Sequence, residues 1–256
     1  MKILVCLKQV PDSAVRLGVA ADGRSVATDG MIWSISPNDE FAIEIALGWK
    51  DADPATVVEV VSVGPERSRD ALRHALAMGC DDATLIVDDG ALGPAAVARV
   101  LAAAVREKAA DLVLCGRQAS DDDQGFVGPA LAVELGYPHV SMVVDVRPGP
   151  KGAELVKEVE GGHEVWDAAF PVVALVHRSP REPRYPSLPR ILKAKRSPIA
   201  ERQPAELGVD LGAPPVEILN MVAPPPRGGG RIFRGGDLSE TAAELVRVLR
   251  EEEKVL

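Results

Sequence analysis

The segment from Leu112 to Pro129 reads Leu-Val-Leu-Cys-Gly-Arg-Gln-Ala-Ser-Asp-Asp-Asp-Gln-Gly-Phe-Val-Gly-Pro. An apolar run closes on Gly116, a polar loop follows, and a helix is expected to begin near Gly125. In open α/β sheets ligands sit beyond the carboxyl ends of the strands. Free N–H groups at a helix start bind phosphate, and Gly125 and Gly128 let a ligand approach the backbone closely. A loop that holds a ligand between Gly116 and the helix start is therefore one reading of this stretch. The plain alternative is a helix capped at Asp123 behind a solvated acidic loop. The run Asp121–Asp123 also raises a metal site, but isolated loop carboxylates need further ligands to make one.

Two more stretches carry the same kind of signal. In Ser34-Ile-Ser-Pro-Asn-Asp-Glu-Phe-Ala-Ile-Glu, Asn38 can cap a helix whose first turn is acidic. In Val61-Ser-Val-Gly-Pro a strand ends and turns at Gly64. Each is weak alone. Convergence of all three on one sheet edge would make a nucleotide crevice. A fourth stretch, Arg181 to Arg196, packs six basic residues into an acidic protein and holds Tyr185 and Leu188 between prolines. An apolar anchor ringed by positive charge suits docking to an acidic partner. The alternative is a solvated basic helix start with Tyr185 and Leu188 packing inward.

The elements that must position these residues follow from periodicity. Strands are expected at Ile3–Val10, Val57–Val63, Thr84–Val87, Asp111–Cys115, Val140–Val146 and Pro171–His177, and helices at Glu66–Met78, Pro94–Ala109 and Phe126–Leu135. The alternation implies βαβ crossovers and a mostly parallel sheet with flanking helices. Glu154–Val159 and His163–Trp166 flank Gly161-Gly162 and predict a hairpin, a small antiparallel extension. Residues 203–237 are rich in Pro and Gly and predict an extended arm, closed by a helix from Leu238 to Glu253. The division is an α/β nucleotide-binding domain over 1–200 and an arm with helix over 201–256.

Composition excludes several classes. The net charge of -9 disfavours nucleic acid, and no apolar run reaches the roughly 18 residues that span a bilayer. Cys6, Cys80 and Cys115 are far apart with no Cys-x-x-Cys, which argues against a disulfide framework, zinc or an iron–sulfur cluster. A reduced, cytoplasmic protein is expected. No Walker loop, Gly-x-Gly-x-x-Gly after a strand, Gly-x-Ser-x-Gly or His-Glu-x-x-His is present, and the four histidines are scattered.

Taken together, the chain resembles the β subunit of electron-transfer flavoproteins over about residues 2–212. The resemblance runs through Leu7-Lys8-Gln9-Val10-Pro11-Asp12, Thr28-Asp29-Gly30, Val63-Gly64-Pro65, Ala75-Leu76-Ala77-Met78-Gly79 and Leu112 to Ala119 with the Asp triplet. It continues through Glu182-Pro183-Arg184-Tyr185-x-x-Leu188-Pro189, Lys193-Ala194-Lys195 and Leu207-Gly208-Val209-Asp210. The Glu-Pro-Arg-Tyr block is the most specific of these.

The resemblance implies an adenine-nucleotide α-hydrolase-like fold and a heterodimer with an α subunit that holds most of the FAD at a shared interface. It implies electrons accepted from acyl-CoA or related dehydrogenases and passed to a quinone reductase, with AMP in a structural role. Its AMP contacts carry over to Cys6, Ser36, Pro37, Asn38, Asp39, Val63 and the loop Gly116–Val127. The dehydrogenase-docking loop carries over to Tyr185 through Arg196, including Leu188, Pro189, Ile191 and Lys193. Ser13 stands near the flavin where familiar members have Tyr. Gly125-Phe126-Val127 replaces a polar run, which removes side-chain contacts to phosphate but leaves backbone ones. Val127-Gly128-Pro129 is similar to the electron-bifurcating branch, whose β subunit binds a second FAD and oxidises NADH, but the short Gly90–Val97 segment is unlike it. A sensor or hydrolase on a similar sheet is the distant alternative, since an adenylating relative would want Ser-Gly-Gly-x-Asp-Ser where this chain has Lys8-Gln-Val-Pro-Asp-Ser.

Overall fold

A computed structural model describes residues 1–15, 17–90, 92–212, 216–225, 229–234 and 236–256. Strand Lys2–Cys6 (β1) carries Ile3, Leu4, Val5 and Cys6, all buried. Successive side chains point to opposite faces of a sheet, so such a strand needs cover on both sides. It has it: Ile3 and Val5 join one apolar cluster, and Leu4 and Cys6 join another on the opposite face.

From β1 the chain runs through a small antiparallel ribbon, Gln9–Pro11 (β2) with Trp33–Ile35 (β3), into helix Pro37–Ala52 (α1). Val57–Gly64 (β4), Arg69–Met78 (α2), Asp82–Val87 (β5), Pro94–Lys108 (α3), Leu112–Gly116 (β6) and Val127–Leu135 (α4) then alternate. His139–Gly149 (β7), Gly152–Val159 (β8) and Gly162–Ala169 (β9) form an antiparallel meander, with Val159 opposite Gly162 across the expected glycine turn. Val172–Val176 (β10), Leu188–Arg196 (α5), Ala200–Arg202 (β11) and Leu238–Glu251 (α6) complete the order. The main sheet has nine strands in the order β11-β5-β4-β1-β6-β10-β7-β8-β9. It is parallel from β11 to β7. The α/β class with a mostly parallel sheet and an antiparallel extension is therefore what the chain adopts.

The helices cover the sheet because their apolar residues recur at helical spacing. Ile43, Ala46 and Leu47 of α1 and Leu72 and Ala75 of α2 pack on one face, and Val100, Leu101 and Val105 of α3 with Leu131 of α4 pack on the other. The order reverses at β1, with β4 and β5 on one side and β6 and β10 on the other. This is a topological switch point, where open α/β sheets leave a crevice.

Several expectations need correction. The strand expected over Ile3–Val10 breaks after Cys6, because the Lys8 N–H donates to the Asp39 carboxylate and not to a neighbouring strand. Glu66–Ser68 is a 3-10 turn that precedes α2. Ser36, not Asn38, occupies the cap position of α1, since Pro37 takes the first helical turn, and no side chain caps there. The helix start near Gly125 falls at Val127, with Phe126 and not Asp123 at its cap. The basic segment contains a nine-residue helix, α5. β11 pairs with β5 at one edge of the main sheet. In the arm, the described parts of 208–237 form no helix or strand; Pro226 and Gly228 lie outside the described residues.

Candidate nucleotide site

Cys6 ends β1, Val63 and Gly64 end β4, and Cys115 and Gly116 end β6. Cys6 is level with Val61 on one side and Cys115 on the other. The three carboxyl ends thus form one rim, over which a cavity of about 630 Å³ opens. That lies inside the range of roughly 300–1,000 Å³ usual for small-molecule sites.

Helix α1 brings Asp39 to the cavity. Its Oδ2 accepts the Lys8 N–H and its Oδ1 the Gly116 N–H, each at 2.8 Å. Burial pushes the Asp39 carboxyl up to about 7, against the opposing pull of those two N–H groups. A Cβ at Gly116 would overlap this carboxylate and lie 2.9 Å from the Asn38 Cβ. Only glycine allows the helix start and the strand end to meet so closely.

The loop after β6 is tied from both sides. The Lys8 ammonium donates to Asp121 at 2.8 Å and to Asp122 at 3.1 Å. Burial alone would lower the Lys8 pKa, but these two carboxylates outweigh it and raise it. Asn38 Nδ2 donates to the Gln118 carbonyl at 3.1 Å, and Gln118 Nε2 to Asp123 Oδ1 at 2.8 Å. Gly125 has φ +59°, a conformation that favours glycine. The Phe126 ring is 47% exposed at the cavity wall, an apolar face that a purine can stack on.

Of the expected residues, Cys6, Asp39, Val63, Gly116, Arg117, Ala119, Asp121, Asp122 and Gln124 to Val127 line this one cavity. Asn38, Gln118 and Asp123 brace its loop. Ser36 is buried at the start of α1, whereas Pro37, Ser120 and Ser13 are exposed, and none of these four lines the cavity. Sequence reasoning missed Lys8, Gln9, Trp33 and Arg67, which also line it. Arg67 lies over the Trp33 ring at 3.8 Å. Lys8 and Gln9 belong to the Lys-Gln-Val motif just past β1, a signal that was available. The Cys115 thiol is pushed well up by its hydrogen bond with Cys6 and by burial, so it stays protonated and unreactive. Among the described residues no group of three or more His, Cys, Asp or Glu can hold a metal ion, and no helix is long and apolar enough to cross a membrane.

The chain matches the electron transfer flavoprotein domain over residues 24–207. The electron transfer flavoprotein subunit beta of Bradyrhizobium diazoefficiens is 37% identical over 256 residues, covering both chains completely. This chain belongs to the electron transfer flavoprotein β-subunit family. The human subunit beta is 35% identical over 255 residues, covering 98% of this chain and 97% of its own. The caffeyl-CoA reductase-Etf complex subunit CarD of Acetobacterium woodii is 35% identical over 260 residues, covering 98% of each chain.

The segment from Tyr185 to Arg196 lies apart from the cavity, and none of its residues lines it. Tyr185 is 97% exposed and Leu188 68%, so neither packs inward. Pro189, Lys193 and Arg196 are exposed too, while Ile191 is half-buried. Helix α5 packs on α2, where Arg73 donates to the Lys195 carbonyl at 2.8 Å.

Proposed function

We propose that this chain is the β subunit of a heterodimeric electron carrier and that its cavity holds AMP in a structural role. The observation that carries this is the convergence of Cys6, Asp39, Val63 and the Gly116–Val127 loop on one cavity at the switch point of the sheet. The residues fit the group. The loop offers backbone N–H groups at the start of α4 for phosphate, Phe126 offers a ring face for adenine, and Arg117 supplies positive charge, while Lys8 offsets the Asp121 and Asp122 carboxylates. FAD, held mainly by the α subunit and shared at the interface, supplies one- and two-electron cycling when bound. No residue of this chain has to act as acid, base or nucleophile.

In this reading acyl-CoA or related dehydrogenases dock on Tyr185–Arg196, and electrons pass on toward a quinone reductase. Three free, buried thiols fit a reducing compartment such as the cytoplasm. The test is flavin bleaching when the heterodimer is mixed with an acyl-CoA dehydrogenase and its substrate. Leu188→Ala is expected to slow bleaching with flavin content unchanged. Unchanged transfer with lost flavin would contradict the docking assignment.

A second reading is favoured by one observation, the 35% identity to a subunit named for a caffeyl-CoA reductase-Etf complex. There the cavity would hold a second FAD and the assembly would oxidise NADH in an electron-bifurcating reaction.

A further inference from the structure

Arg184 belongs to the most specific motif in the sequence, yet neither the nucleotide cavity nor the docking face uses its side chain. It sits between β10 and α5, in a stretch without helix or strand. Its guanidinium grips α1. Nε and Nη2 donate to the two oxygens of Glu44 at 2.9 and 2.8 Å, and Nη2 also donates to Asp51 at 2.7 Å. Its backbone N–H adds a third bond to Glu44, at 3.0 Å. Glu44 is only 8% exposed. A buried carboxylate that lost this partner would be left uncompensated, which makes the clamp specific as well as strong.

The next residue, Tyr185, is 97% exposed, and Leu188 and Leu192 are 68% and 54% exposed. Side chains so free of packing cannot hold their own backbone in place. The far end of the segment is fixed by Arg190, which donates to the Met78 carbonyl at 2.9 Å, and by Arg73 on the Lys195 carbonyl. The near end is fixed by Arg184. Lys193, Lys195 and Arg196 are left facing solvent.

We infer that Arg184 is a positioning residue for partner docking. It fixes to α1 the near end of the segment that carries the exposed Tyr185, Leu188 and Leu192, so that an electron-donating dehydrogenase meets an ordered surface. Preorganisation lowers the entropy lost on association. The inference rests on the docking reading given above and deepens it.

The test uses the heterodimer with the α subunit and an acyl-CoA dehydrogenase reduced by its substrate. Arg184→Met is expected to raise the KM for the heterodimer roughly tenfold, with kcat and flavin content nearly unchanged. Tryptic cleavage after Arg181, beside the clamp, should quicken in the native state. Arg184→Lys, a point charge without the fork, should fall between. Asp51→Asn loosens the exposed half of the clamp without unpairing Glu44. It decides the matter if Arg184→Met does not fold, with a KM raised about two- to threefold expected and an unchanged KM contradicting the inference. If Leu188→Ala raises KM while Arg184→Met leaves KM and cleavage unchanged, the positioning role is overturned and the docking surface stands. If neither variant moves KM, the docking reading fails and the inference falls with it.

Discussion

The Asp39 carboxylate accepts the Gly116 N–H at 2.8 Å, joining the first turn of α1 to the carboxyl end of β6 at the edge of the cavity. Gly116→Ala places a methyl group against that carboxylate and the Asn38 Cβ. Overpacking of this kind costs about 1–3 kcal/mol. The expected result is a lower thermal midpoint and nucleotide lost on purification. Full nucleotide occupancy in the variant would contradict the placement of the site.

Asp39 itself should make stability depend on pH. Its folded pKa of about 7 stands above the ordinary 3.8 because of burial. A carboxyl raised on folding is protonated in the folded chain where the unfolded chain is ionised. Its contribution is therefore complete below pH 3.8 and lost as pH rises through about 7, a span corresponding to about 4 kcal/mol. Asp39→Asn does not titrate. The midpoint of the natural chain relative to this variant should fall between about pH 5 and about pH 8. A difference equal at both values would show that Asp39 does not titrate there.

Lys8 ties Asp121 and Asp122 together at the cavity. Lys8→Met removes two charge-assisted hydrogen bonds and a cation beside any bound phosphate. Nucleotide affinity should drop about tenfold or more, read by equilibrium dialysis of AMP against the heterodimer. Unchanged affinity would mean that Lys8 holds the loop without serving the ligand.

Docking should be sensitive to salt. Lys193, Lys195 and Arg196 are exposed on α5. Raising ionic strength from about 0.01 M to 0.15 M shortens the screening length from about 30 Å to 8 Å. The KM for the heterodimer in dehydrogenase turnover should rise several-fold over that range. A KM flat with salt would remove charge steering from the account.

What is legible in the sequence is what local pattern encodes. β1, β4 and β6 are apolar at nearly every position, as strands covered on both faces must be. The glycine-flanked loop from Gly116 to Val127 marks the cavity for the same local reason. What is not legible depends on partners far along the chain. The end of β1 at Cys6 follows from Lys8 turning to Asp39, and the place of Lys8 in the site follows from Asp121, 113 residues away. Three-residue strands such as β3 and β11 carry too little period to be seen, and Pro37 moves the cap from Asn38 to Ser36 through backbone geometry that composition does not express. The clamp from Arg184 to Glu44 spans 140 residues and shows only in three dimensions.

On the proposed function, this chain holds one nucleotide in its own cavity while the flavin belongs to the pair. The direct test is to purify the heterodimer, denature it, and identify the released small molecules by chromatography and mass. One FAD and one AMP per heterodimer is the expected result. Two FAD and no AMP would make the Gly116–Val127 cavity a flavin site and the assembly the bifurcating type. A bound nucleotide with no flavin would contradict the electron-carrier account.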